Sequence, residues 1–182
     1  MKKLLPFVLL ILLLSACNES VSITNEEIPD SSSLTETNFE PMPNSIPDDF
    51  GFSLQFGITK KNEINTFNGT FTKDLITAGT VTTDLTLTEE EMVSIYEMMK
   101  DVKFAGTKHL IPTVIDCAIE PYGEDEWEVL VNGEIIRHSV SEAYCKPTDD
   151  AKQLIELRDY IFDLIQSKNS YKELPDAEGG YE

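Results

Sequence analysis

Few side chains in this 182-residue chain have the types and spacing that do chemistry: two histidines, His109 and His138, three cysteines, Cys17, Cys117 and Cys145, and 33 acids. A catalytic histidine needs a nucleophile beside it and an acid to orient it, and Ser139 and Ser141 lie in no Gly-x-Ser-x-Gly context. A zinc site needs several ligands at close spacing, and neither CxxC nor HxxxH occurs. The acidic run Glu124, Asp125, Glu126 with Glu128 could face calcium, but it lacks the Asp-x-Asp-x-Asp-Gly loop and reads as a solvated turn. Paired carboxylates for glycoside cleavage stay open, because in so acidic a chain abundance removes the signal. The expectation is no catalytic residue, no metal and no cofactor.

Cys17 stands apart from the other thiols. Lys2 and Lys3 precede an apolar segment, Leu4 to Leu14, broken only by Pro6, and small Ser15 and Ala16 follow. This is the pattern of an export signal peptide over 1–16. A membrane span needs about 20 apolar residues, and this run is roughly half that. The four residues Leu14-Ser15-Ala16-Cys17 resemble the lipobox of bacterial lipoproteins. The resemblance implies a diacylglycerol on the Cys17 thiol, cleavage just before it, and a cell-membrane location on the outer, extracytoplasmic face. With Cys17 lipidated, Cys117 and Cys145 remain, and two cysteines outside the cell predict a disulfide. Closing a loop of about 29 residues would stabilise by roughly 3 to 4 kcal/mol. Two buried thiols, or half of a metal site, are the competing readings.

The net charge is −19, and loss of a leader with two lysines and no acids makes it −21. Nucleic acid is excluded as a partner, because binding it requires basic side chains to neutralise phosphates. Nor is there a basic patch to hold the body on anionic lipid, so attachment falls to the acyl chains on Cys17. Between Asn18 and Asp49 there are eight carboxylates and no lysine or arginine in 32 residues. Together with Cys17 this stretch, 17–49, predicts a disordered acidic linker with an end-to-end distance of roughly 30 Å. Ile23, Ile28, Phe39 or Met42 could alternatively mark a docking peptide within it.

The elements that must position any site begin at Phe50. Phe52, Leu54, Phe56 and Ile58 alternate with small or polar residues and predict a strand over 52–58. Phe67, Gly69 and Phe71 predict a second over 65–73, and a threonine-rich run predicts a third over 80–87. Thr88-Glu89-Glu90-Glu91 is a capping box, followed by a stripe of Met92, Ile95, Tyr96 and Met99. Residues 105–114, with Gly106 and Pro112, are irregular; 115–120 reads as a strand, 121–125 as a turn and 127–131 as a strand.

Asn132-Gly133 predicts a two-residue hairpin whose register pairs Val131 with Glu134, Leu130 with Ile135, Val129 with Ile136, Glu128 with Arg137 and Trp127 with His138. A second helix follows Pro147, capped by Thr148 or Asp149, with Leu154, Leu157, Ile161, Leu164 and Ile165 as its apolar stripe and Lys168 near its end. From Tyr171, with Pro175, Gly179, Gly180 and four acids, the chain reads as a frayed acidic tail, 171–182.

The predicted fold is α+β: an antiparallel sheet of five to six strands, in the order β-β-β-α-β-β-β-α, with two helices packed on one face. One domain spans 50–170. The aromatic hairpin, the Leu-Thr-Glu-Glu helix start, the Asn-Gly hairpin and the terminal helix look like small lipoproteins of Gram-positive bacteria, a resemblance over 50–168 that brings no activity with it.

The expected function is a membrane-anchored extracytoplasmic binding or interaction module, whose partner is an unknown protein or envelope component. The alternatives are a small cell-envelope hydrolase using carboxylates, or a subunit of an envelope assembly. Converging carboxylates of raised pKa in a deep pocket would favour the enzyme, and an exposed apolar patch would favour binding.

Overall fold

The computed structural model describes residues 41–182; the leader, Cys17 and residues 17–40 of the linker lie outside the described residues. Six strands form one antiparallel sheet: β1 (Gly51–Phe56), β2 (Asn62–Asn65), β3 (Thr70–Asp74), β4 (Thr80–Asp84), β5 (Glu124–Val131) and β6 (Glu134–Ser141), in spatial order β4-β3-β2-β1-β5-β6. Helices α1 (Glu89–Asp101) and α2 (Asp149–Ser167) cover one face, and a single turn, α3 (Asn169–Lys172), follows α2. The architecture is α+β as expected, with order β-β-β-β-α-β-β-α-α rather than three strands on each side of α1.

Alternation decides which side chains enter the core. Register aligns Phe71, Ile64, Leu54, Trp127 and His138 across five strands, and all but His138 are almost wholly buried. The helices meet this row with Ile95, Tyr96 and Met99 from α1 and Leu154, Leu157, Ile161 and Ile165 from α2. The neighbouring row, Thr82, Thr72, Glu63, Gln55, Glu126 and Ser139, faces the other side and is polar throughout. The hairpin register follows the two-residue turn at all five expected pairs, with Asn132 and Gly133 both at positive φ. The Thr88 capping box forms: the Thr88 hydroxyl accepts the Glu91 amide at 3.2 Å, and the Glu91 carboxylate accepts the Thr88 amide at 2.8 Å.

Four expectations change. The segment 65–73 is a turn and parts of two strands, because Asn65 Oδ1 caps the Asn68 amide at 3.0 Å and Gly69 takes φ 63°. No strand forms over 115–120; a lone bridge joins Ala118 to Tyr144.

The linker's last residues belong to the folded body. The Tyr96 hydroxyl donates to Pro43 O at 2.9 Å, Met42 packs on the core, and Asp49 accepts the Asn132 amide at 3.0 Å and the Gly133 amide at 2.6 Å.

The segment read as a frayed tail instead lies along the sheet. The Tyr171 ring packs 5.5 Å from Phe71, Leu174 joins the core, the Thr77 hydroxyl donates to Glu178 O at 2.8 Å, and the Tyr181 hydroxyl donates to Asp74. Its composition is polar, but two aromatic anchors and backbone bonds to the β3–β4 turn offset the ordering entropy.

Candidate functional site: a disulfide-stapled apolar loop

Twenty-two residues, 102–123, connect α1 to β5, a length that in a compact fold points to function. The first part is built into the core. Phe104 is buried, its ring edge-on to Trp127 at 5.5 Å and to His138 at 4.8 Å. His138 Nε2 lies 2.6 Å from Phe104 O, and a carbonyl only accepts, so Nε2 carries the proton. Burial pushes the His138 imidazole below its ordinary pKa and keeps it neutral.

Farther on, the sequestered Lys108 ammonium meets Asp150 at 3.1 Å, and the same carboxylate accepts the His109 amide at 2.8 Å. Burial pulls Asp150 upward, but the His109 amide and the Lys108 charge outweigh it and hold the carboxyl below its usual range.

Beyond Leu110 the chain turns outward. Ile111 and Val114 are 67% and 70% exposed, and Ile115, Ile119 and Tyr122 are also exposed. These five are most of the large apolar side chains left exposed among the described residues, and every residue in 113–122 is exposed.

The stretch is nevertheless tied down. Cys117 is joined to Cys145 by a disulfide with Cα atoms 5.6 Å apart, the Ile119 amide donates to Ala143 O at 2.8 Å, and Asp116 pairs with Lys146 at 2.8 Å. All of these tethers reach one short segment between β6 and α2. The result is a loop held at its middle and bare on its outer side.

Beneath the staple lies a buried ionic cluster. Arg158 of α2 donates to both oxygens of Asp125, at 3.0 and 3.3 Å, and also to Glu142. Burial pushes Asp125 up to about 7 against the pull of Arg158, and Arg158 itself is raised by its carboxylate neighbours despite burial. The cluster fastens the start of β5 and the residues beside the Cys145 segment to α2.

Next to Tyr122 a groove of about 540 Å³ is lined by Ile58, Thr59, Pro121 and Tyr122 with Glu120, Glu124 and Glu182. Its floor turns sharply: Thr59 and Lys60 both take positive φ, 67° and 54°. The Lys60 ammonium is drawn to Glu126 at 3.5 Å and Glu124 at 3.9 Å. A second, shallow depression of about 500 Å³ crosses the polar sheet face, between Phe67 and the Glu128–Arg137 pair.

The residues singled out from sequence are dispersed. Alternation sends Asp125 into the helix layer while Glu124 and Glu126 face the opposite side, so the acidic run does not converge on a cation. The same alternation puts His138 and Ser139 on opposite faces. Among the described residues no three potential ligands gather for a metal, and no helix is long and apolar enough to cross a membrane.

Sequence reasoning passed over Arg158 and Lys108. Two of the ionic partners were visible as misfits: Arg158 lies within the stripe of Leu154, Leu157 and Ile161, and Asp125 shares the parity of Trp127, Val129 and Val131. Comparison with protein families, with curated proteins and with solved structures finds no match to this chain.

Proposed function

We propose that this chain is a lipid-anchored extracytoplasmic binding module that engages a protein through the loop 111–122. The single observation that carries this reading is a stapled loop with five exposed apolar side chains. Soluble surfaces rarely gather apolar groups without a use, and each Ile or Val removed from water on docking contributes about 1.5 to 3 kcal/mol. The disulfide limits the ordering cost that a free loop would bear on binding. The lipobox-like Leu14-Ser15-Ala16-Cys17 supports the outer-face location, and an oxidised Cys117–Cys145 pair suits that compartment.

A hydrolase would need a carboxyl of raised pKa open to substrate. Asp125, the carboxyl pushed up, is fully buried against Arg158 and opens to no groove, which favours binding.

The experiment is photo-crosslinking in the native membrane, with benzoylphenylalanine in place of Ile115 and, as control, of Thr82 on the far edge strand. A discrete adduct from position 115 and none from 82 is expected. No adduct at 115, together with release of a product from isolated envelope, would overturn the reading.

A further inference from the structure

The chemistry around the loop specifies the partner, an inference that rests on the binding reading above. We infer that the segment seated on 111–122 is an apolar stretch of protein flanked by lysine or arginine, with one basic side chain laid into the groove beside Tyr122.

The groove walls are apolar at Ile58, Pro121 and Tyr122 and suit the aliphatic stem of such a side chain, with the Tyr122 ring available to a cation. Its rim carries Glu120, Glu124 and Glu182. Lys60 answers Glu124 and Glu126, whereas Glu120 and Glu182 have no ion-pair partner among the described residues. An apolar strip edged by unanswered carboxylates complements an apolar segment edged by cations.

Other occupants fit less well. A second copy would bring the same acidic rim and its own strongly negative charge against this one. An anionic lipid surface would be repelled by the same carboxylates. The groove also lies away from the point where residues 41–49 join the fold. Residues 41–49 reach the fold at the Asn132-Gly133 tip through Asp49, while the groove lies at Glu124, the other end of β5. The eight residues of β5 set these ends roughly 25 Å apart.

The test uses the full lipidated chain, with benzoylphenylalanine at position 115, in vesicles of phosphatidylglycerol and phosphatidylcholine. Three fluorescent peptides share one Leu-Ile-Leu core and carry Lys/Arg, Gln or Glu flanks. Binding is read by anisotropy on the unsubstituted chain and contact by irradiation.

The expected result is roughly ten-fold tighter binding of the Lys/Arg peptide than of the Gln peptide, the scale of two well-placed surface ion pairs. The preference should fall with salt, and the position-115 adduct should form with that peptide. Glu120→Gln with Glu182→Gln should bring the Lys/Arg peptide to the Gln level while leaving the Gln peptide unchanged.

Equal binding of all three peptides would overturn the basic partner and leave apolar docking standing. So would adducts formed only with lipid or with a second copy. If no peptide binds but position 115 still captures a discrete protein in native membranes, the basic specificity is wrong and the module reading survives. If that adduct is also missing, both fall.

Discussion

Arg158 donates both to the buried Asp125 and to Glu142, and through them one guanidinium joins α2 to the first residues of β5 and to the end of β6. Removing one partner leaves a charge or carboxyl in the core without its complement, so Arg158→Ala should cost about 3 to 5 kcal/mol. Replacing both, as in Asp125→Leu with Arg158→Met, should recover most of that loss, because well-packed apolar groups of similar volume carry no desolvation penalty. Denaturant titration of the two single variants and the double variant gives the coupling directly. A double variant as unstable as the sum of the singles would show that the contact is not what the cluster contributes.

Two buried titratable groups oppose one another in their effect on stability. Asp125 is raised from 3.8 to about 7, so the folded state holds more protons than the unfolded state over that interval and its contribution declines as pH rises. His138 is lowered from 6.5, so the unfolded state binds the extra proton and stability is lost as pH falls below that value. The native chain should therefore show a flatter profile between pH 5 and 7.5 than either variant. Asp125→Asn should steepen the loss on acidification, and His138→Asn should make stability rise on acidification. Unfolding midpoints measured across this range decide it; parallel profiles in all three proteins would contradict both assignments.

The sheet and the loop were unequally legible from the chain. Asn132-Gly133 alone fixed the β5–β6 pairing, since a two-residue turn leaves one register, and the Thr88 box located α1. The turn inside 65–73 was also written in Asn68-Gly69, but the alternation of Phe67 and Phe71 concealed it. The loop was misread for a different reason. Ile115 and Ile119 suggest a buried strand only if apolar residues must be covered by their own chain, and a periodic pattern does not record whether cover comes from elsewhere. The Arg158 cluster required pairing residues 33 apart, which parity marks as anomalous without naming the partner.

Reduction should act on the loop before the core. Cys117 and Cys145 are both exposed, and the tethers around them fasten 116–119 to 143–146 without passing through the sheet. Cys117→Ser with Cys145→Ser should lower stability by up to about 3 to 4 kcal/mol while leaving the fold intact. Hydrogen exchange should quicken at the Ile119 amide and remain slow in β1 and β5. Thiol labelling of the denatured, unreduced chain should find neither Cys117 nor Cys145 free; full reaction at both positions would exclude the bridge.

Cys17→Ala tests the proposed lipid anchor. Cys17 lies outside the described residues, and its role rests on Leu14-Ser15-Ala16 before it and the Lys2 and Lys3 leader. A thiol is the only side chain there that can take the thioether-linked diacylglycerol the lipobox resemblance implies, so Cys17→Ala should accumulate as a precursor that keeps its leader. A net charge of −21 once the leader is lost repels anionic lipid, and the exposed loop is rimmed by Glu120, Glu124 and Glu182. Any Cys17→Ala chain that is cut should therefore leave the membrane for the medium. Mass measurement of the N-terminus with fractionation of cells reads both effects, and normal cleavage with full membrane retention would refute the lipid anchor.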